Sequence, residues 1–430
     1  MICLNSRALA RYFLACIALA MSTLGNAWAQ TAPLGLKEAS DLAVSTQPLL
    51  LNLDAKARAA RESAVAAGQL PDPQLKAGLM DLPVDGAEAY SLRRDSDTAF
   101  QVGLSQEFTR GEKRRLRGEV LSREADRYVT EGRLTQKSIR RDAALAWLET
   151  WRYQQVLQLT QASQREAEVQ LQLVEIALRT NTATQAEYLS AKLEVNRLKD
   201  EVGAAEQGVA HSHIMLSRWI GDDGFRPITE GPLQFPSLPA LDVVLGRVAT
   251  HPGIGVYNAQ VATAQSDVAL ARASYAPDWR AELAYSRRLE YSNMVSVQVG
   301  IDLPFFTRNR QDRGLAAALA QKDAAETMVE DQRRQLIAEA RLNHHDFNRL
   351  QERLGEYART LIPQSEARIE AAMISWRSAR GPLRDVIDAR RAALEVQMAQ
   401  LDLQFDQSRH FVQLNYLGAY EAAAVENSHE

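Results

Sequence analysis

Residues 279–303 read Trp279-Arg280-Ala281-Glu282-Leu283-Ala284-Tyr285-Ser286 and, after a turn near Glu290, Val295-Ser296-Val297-Gln298-Val299-Gly300-Ile301-Asp302-Leu303. In both runs large apolar side chains hold alternate positions, and Arg280, Glu282, Ser286, Ser296, Gln298 and Asp302 fall on the other face. A period of two with one apolar face marks a strand resting on a soluble core, or one standing between lipid and water. Strands of about ten residues suit a tilted membrane crossing. The strands alone leave both readings open, and the residues after them decide. From Arg310 to about Ser375 there is no strand signal and very little turn signal, and Ala, Leu, Gln, Glu and Arg dominate. At ~1.5 Å per residue, some sixty-five helical residues reach roughly 100 Å. Rods of that length pack along one another in a coiled-coil-like assembly and not around one globular core.

The same order occurs earlier in the chain. Gln101-Val102-Gly103-Leu104 returns as Gln298-Val299-Gly300-Ile301, Pro71-Asp72 as Pro277-Asp278, and Leu189-Ser190-Ala191-Lys192 as Ile387-Asp388-Ala389-Arg390. Residues 47–221 are thus loosely repeated by 251–418. The expected organisation is a unit over 30–221, with strands near 73–80 and 98–108 and helices over 111–219. A linker over 222–245 rich in Pro, Gly and Asp follows. A second unit over 246–420 has strands near 279–289 and 293–303 and helices over 310–417, and 421–430 forms a tail. Reversals are expected at Arg179–Thr184 and Trp376–Pro382, and Pro363 predicts a local bend. Trp147, Leu148, Trp151, Phe347 and Leu350 read as seam residues between rods.

Residues 1–29 read as an export signal: Arg7 and Arg11 precede an apolar run from Tyr12 to Leu24, and Ala27-Trp28-Ala29 offers a cleavage site. Both cysteines, Cys3 and Cys16, lie inside it, so the remaining chain has neither disulfides nor thiolate ligands. A formal net charge of −4 argues against nucleic acid as a partner. No later apolar run approaches a membrane helix, so any bilayer crossing must use strands. Four strands cannot close a barrel, and lipid does not tolerate an open edge, so several chains must join. Two would give eight strands and three would give twelve.

Taken together, these features resemble the TolC-like outer membrane efflux proteins. The local motif that carries the resemblance is Trp376 followed by Asp385-Val386-Ile387-Asp388-Ala389 at the opening of the returning helix. Pro71-Asp72-Pro73-Gln74, Gly103 to Phe108 and Leu303-Pro304-Phe305-Phe306-Thr307-Arg308 resemble its CzcC-type heavy-metal branch. The resemblance implies a mostly α fold with a membrane β-barrel contribution, in which a homotrimer forms a twelve-stranded barrel and an α-helical periplasmic tunnel. It implies a passive duct in a Gram-negative outer membrane, in contact with outer membrane lipid. A periplasmic adaptor and a proton-driven inner membrane pump of the resistance-nodulation-division class are the implied partners, and cations such as cobalt, zinc, cadmium, copper or silver the implied cargo. A duct for drugs or for type I protein secretion is the alternative in the same class. A periplasmic coiled-coil adaptor is the alternative in another class, although it would carry one helical hairpin and a soluble β domain.

Candidate functional residues cluster at the second reversal. Asp385 and Asp388 lie three apart and share a helix face. By resemblance they would form stacked carboxylate rings that constrict the periplasmic mouth and favour cations. The competing reading is two acidic residues placed where a helix N-terminus favours them. Glu187 is the counterpart of Asp385 in the first unit, while Ser190 replaces the second carboxylate. Trp376, Arg380 and Arg384 complete the set; with Arg377, the arginines either pair with Glu187, Asp385 or neighbouring chains to hold the mouth shut, or are simply solvated. His344-His345 and His211/His213 lack ligand spacing, and no nucleophile elbow or phosphate loop occurs. The sequence therefore predicts no enzyme, no cofactor and no dedicated metal site.

Overall fold

The computed structural model describes residues 32–229, 231 and 233–420. The export signal and the C-terminal tail expected from the sequence lie outside them. The chain is mostly helical with one antiparallel sheet. Two helices, α1 (Leu36–Thr46) and α2 (Pro48–Ala67), precede β1 (Gln74–Met80) and β2 (Ala99–Phe108). The 69-residue α3 (Gly111–Arg179) and the returning α4 (Gln185–Ile220) follow. The order then recurs: α5 (Leu241–Val248), α6 (Pro252–Ala273), β3 (Trp279–Arg287), β4 (Met294–Ile301), α7 (Gln311–Glu356), α8 (Ile362–Arg377) and α9 (Leu383–Tyr416). β4 stops two residues before the sequence-based end; Asp302 still donates to the Asp278 carbonyl, and Pro304, which has no amide, comes just beyond. Between α7 and α8, Tyr357–Leu361 form a π-helical turn just ahead of Pro363. The widened turn accommodates the missing proline donor.

Two compact units each draw on both halves of the chain. One comprises Thr46 and the residues before it, 143–234 and 356–405; the other comprises 47–142, 235–355 and 406 onward. The second unit holds the sheet, ordered β1-β2-β3-β4 with every pairing antiparallel. Its register aligns Leu75 with Leu104, Leu104 with Leu283 and Leu283 with Val297; Val102, Tyr285 and Val295 form a parallel row. These side chains are all exposed, Leu75 and Val297 each by 75%. The opposite face is small and polar: Ala99, Ser105, Ala284 and Ser286 are buried, and Lys76 pairs with Glu282 at 2.5 Å. Gly103 belongs there, where a Cβ would come within 3.2 Å of Ala284. An apolar face turned outward and a polar face turned inward reverses the arrangement of a soluble sheet. Phe108, Trp279, Phe305 and Phe306 are exposed at one end of the strands, and Tyr90 and Tyr291 lie in the loops at the other. Amphipathic rings favour the two membrane–water boundaries. Below the sheet Lys113 Nζ bonds Asp278 at 2.7 Å and the Ala276 carbonyl at 2.6 Å, fixing α3 against the entry to β3.

The helical part of this unit packs Val244, Val248, Ile254, Leu336, Ala340, Phe347, Leu414 and Leu417 into one core. His251 closes it. This residue, 2% exposed, caps α6 by accepting from Gly253 N through Nδ1 (3.1 Å), so its Nε2 donates to the Tyr416 carbonyl (3.1 Å). Burial, with the nearby Lys137 and Arg141 charges, pushes its pKa down to about 4. A folded value below the unfolded one of ~6.5 means stability is complete above pH ~6.5 and is lost as pH falls towards ~4. The loss amounts to about 3 kcal/mol. His251→Asn keeps a capping acceptor and does not titrate. The variant should melt lower at neutral pH and show a much shallower decline in melting temperature between pH 7 and 4. Equal pH slopes for the two proteins would remove His251 from this role.

In the other unit, Trp147 and Trp151 are 1% and 2% exposed. Their indole N–H groups donate to the carbonyls of Leu34 (2.9 Å) and Gly231 (3.2 Å). They therefore anchor irregular backbone as well as filling a helix seam, since a buried indole needs an acceptor. Leu34 also bridges in parallel to Ile228. Gly208 on α4 permits α3 to approach, because a Cβ there would overlap the Tyr153 ring.

Candidate functional site

The two helix reversals lie together at one end of this unit. Val174 from α3, Ala191 from α4 and Leu383, Val386 and Ile387 from α9 form a buried cluster, with Tyr188, Met373 and Trp376 packed against it. The reversals have the same backbone design. Asn181 (φ +55°) and Ala379 (φ +53°) take left-handed conformations. Thr182 N bonds Ala177 O as Arg380 N bonds Ser375 O, and Asn181 N bonds Leu178 O as Ala379 N bonds Trp376 O. Both are Schellman turns, which satisfy the last carbonyls of a helix. Asparagine tolerates that conformation; alanine there costs about 1–2 kcal/mol. Two residues on, a Cβ at Gly381 would lie 2.5 Å from Ser375 Oγ, so a side chain there would turn that hydroxyl away.

The designs diverge where the returning helices begin. Thr184 and Glu187 form a capping box: Thr184 Oγ1 accepts from Glu187 N (3.2 Å), and the Glu187 carboxylate accepts from Thr184 N (2.8 Å). The second unit has Pro382 at the place of Thr184, with neither hydroxyl nor N–H to offer. Its helix is capped from the other hairpin, as Leu383 N donates to Glu187 Oε1 at 3.3 Å. The Trp376 indole donates to the same carboxylate. Glu187 thus caps two helices. Hydrogen bonds, first from the Thr184 amide and then from the Thr184 hydroxyl, Leu383 and Trp376, hold its pKa below the usual value against a modest opposing effect of burial.

The other sequence-derived candidates stand apart from that bridge. Asp385 is exposed in the first turn of α9, and its carboxylate has no hydrogen bond or ion pair among the described residues. Asp388 is half-buried and pairs with Arg384 at 3.4 Å in its own helix. Arg380 is exposed. Within the chain the arginines do not reach Glu187, whose partners are backbone amides, a threonine and an indole. Glu187 and Trp376 are therefore brought together, while Asp385, Asp388, Arg380 and Arg384 occupy the adjoining surface.

Three ion pairs deeper in the bundle gave no signal in the sequence. Glu194, 8% exposed, receives Arg391 from α9 and Arg197 from its own helix (3.0 Å). Burial works to raise the Glu194 pKa, but the Arg391 and Arg197 hydrogen bonds outweigh it and the carboxyl stays below its ordinary value. Arg390 pairs with Glu166 of α3. Together they fasten α9 to α3 and α4 one to two turns beyond Asp385. The histidines set aside earlier bond to protein groups: His213 to the Gly224 carbonyl (2.7 Å) and His344 to that of Pro239 (3.1 Å).

A family model described as outer membrane efflux protein matches residues 248–418. The cobalt-zinc-cadmium resistance protein CzcC of Cupriavidus metallidurans is 23% identical over 222 residues. That match covers 51% of this chain and 51% of CzcC, about half the length of the relative. Among solved structures, CusC superposes with a TM-score of 0.75 at 16% identity, covering 89% of this chain and 92% of its own. The outer membrane protein VceC of Vibrio cholerae gives 0.73 at 18% identity, over 89% and 96%. At such identities the structural likeness speaks for the fold.

Proposed function

We propose, starting from its membership of the outer membrane efflux protein family, that this chain is the outer membrane duct of a tripartite efflux system. The observation that carries the reading is the sheet, whose outward face is a continuous exposed apolar surface and whose two edge strands have no outer partner among the described residues. Neither property suits water, and both suit a closed barrel shared between chains. Three chains supply twelve strands and leave room for a lumen. The tandem units over 30–221 and 246–420, joined by 222–245, each give one strand pair and one helical hairpin. The trimer thereby gains sixfold pseudo-symmetry. The helices continue the passage into the periplasm, where the reversals form the mouth. The duct is passive and is not an enzyme; energy comes from an inner membrane pump reached through a periplasmic adaptor. Exposed Leu189, Leu193 and Ile374 near the reversals offer apolar surface to a neighbouring chain or to that adaptor. A periplasmic adaptor as the identity of this chain is disfavoured by the outward apolar sheet.

Asp385 and Asp388 are the gate residues in this reading. Asp385 is exposed and is relieved of capping by Glu187, so three copies can present their charge to the passage and favour cations. Heavy-metal cations are the proposed cargo, supported by CzcC and by the short motifs shared with its branch. The experiment uses detergent-extracted protein in planar bilayers. Trimers should conduct, and Asp385→Asn with Asp388→Asn should raise conductance and weaken block by divalent cations. A non-conducting monomer would remove the duct, and an unchanged double variant would remove these aspartates from the gate. Loss of cobalt, zinc, cadmium or copper tolerance on gene deletion tests the cargo.

A further inference from the structure

An open groove of about 650 Å³ lies between the start of α3 and the end of α6. Its floor includes Leu116 and Val268, 4% and 6% exposed. Arg110, Arg115 and Arg272 line it, all three exposed, against a single carboxylate, Glu112. Arg115 pairs with Glu119 at 2.7 Å. The guanidinium groups of Arg110 and Arg272 have no ion pair or hydrogen bond among the described residues. Arg272 suits the last turn of its helix, but Arg110 directly precedes α3, where the helix field disfavours a cation. The groove also has a definite height. Phe108 and Trp279 are paired across β2 and β3 on the apolar face. Arg110 follows the first by two residues, and Pro277, another lining residue, precedes the second by two. At ~3.3 Å per residue, the groove begins within about 7 Å of that aromatic pair. Lipid headgroups replace hydrocarbon over that depth. The tandem repeat sets the same charges under the second strand pair. Thr109-Arg110 recurs as Thr307-Arg308 and, at the same spacing, Arg115 as Arg313, both exposed.

We propose that the groove between α3 and α6 binds the phosphate of an anionic phospholipid in the inner leaflet, with the glycerol resting on the apolar floor. A guanidinium presents a planar fork of donors that matches two phosphate oxygens. A zwitterionic lipid brings its own cation next to the phosphate, against the arginines. Phosphatidylglycerol has no such cation and keeps its full charge for them. Inorganic phosphate carries the charge but leaves the floor uncovered and gains nothing from the neighbouring bilayer. The choice of leaflet rests on the duct reading above, which puts the sheet in the outer membrane and the helices in the periplasm. The bound lipid then fixes the depth at which the barrel sits.

The test follows the melting temperature of the intact protein, extracted in a nonionic detergent and titrated with phosphatidylglycerol, with phosphatidylcholine of the same acyl chains, or with inorganic phosphate. Phosphatidylglycerol should raise it by a few degrees, at roughly tenfold lower concentration than phosphatidylcholine needs. Inorganic phosphate at the same concentration should raise it by clearly less. Arg110→Gln with Arg272→Gln changes two exposed side chains, so the variant should melt like wild type without lipid and lose the preference. Arg333→Gln with Arg353→Gln removes the same charge from exposed positions far along α7 and should keep it. Equal responses to the two lipids, an equal response to inorganic phosphate, or an undiminished preference in the Arg110 and Arg272 variant would each overturn the site. The readout does not depend on conduction. Trimers that conduct without any lipid preference overturn the site and leave the duct, and a preference in a chain that neither assembles nor conducts does the reverse.

Discussion

Val297→Arg should leave almost no assembled protein in the outer membrane. Val297 sits mid-strand in β4, 75% exposed on the apolar face, with Leu283 as its cross-strand partner. An arginine on the lipid face near the bilayer midplane costs about 2–4 kcal/mol, so three copies in one barrel cost roughly 6–12 kcal/mol. That is comparable with the whole net stability of a typical fold, about 5–15 kcal/mol. The neighbouring Gln298→Arg is the control: Gln298 faces the other way, opposite Glu282, and should tolerate the charge. Heat-resistant oligomers in the membrane fraction report both. Val297→Arg assembling as well as wild type would mean that this face does not meet lipid.

The second large effect is expected at Glu187. Glu187→Ala removes the capping box of α4, worth about 1 kcal/mol. It also removes bonds from Leu383 N and Trp376 to an ionised group, each worth about 1.5–3 kcal/mol. These bonds join the start of α4 to the reversal of the other hairpin, so their loss should loosen the mouth and increase open events in planar bilayers. Glu187→Gln, which keeps the shape and loses the charge, should fall between the two. Because the folded carboxyl has a lowered pKa, its contribution is complete above the unfolded value of ~4.3 and disappears as pH falls through the folded one. Wild-type opening should therefore increase in acid below pH ~4, with a smaller increase in Glu187→Gln. A variant as tightly closed as wild type at every pH would rule out the bridge as a latch.

The strands were legible because their period is strict and their residues β-branched or aromatic. The rods were legible because no strand signal and, apart from Pro363, no turn signal interrupts either of them over more than sixty residues. The reversals were legible as turns, but their shared Schellman geometry was not, since alanine at 379 gives no sign of a left-handed backbone. Pro363 marked an irregularity without revealing that it takes the form of a π-helical turn. Glu187 was found only as the counterpart of Asp385; the Thr184-x-x-Glu187 spacing of its capping box was readable, but its partners on the other hairpin, a backbone amide 196 residues away and an indole, leave no pattern in sequence. Charge alone left the arginines open to pairing with Glu187, with Asp385 or with a neighbouring chain, or to solvation; within one chain Glu187 is met by amides, a threonine and an indole instead.

The unpaired rims of the sheet have a genetic consequence. In a three-chain ring, β4 of each chain must meet β1 of the next, which makes three seams, every one of them necessary. A chain with a blocked β4 still presents a sound β1 and can enter a ring that it then leaves open. In a cell making equal amounts of both chains, random mixing leaves only about one ring in eight free of the faulty copy. Damage to one rim would therefore be dominant, whereas deletion of the same gene beside an intact copy would pass unnoticed.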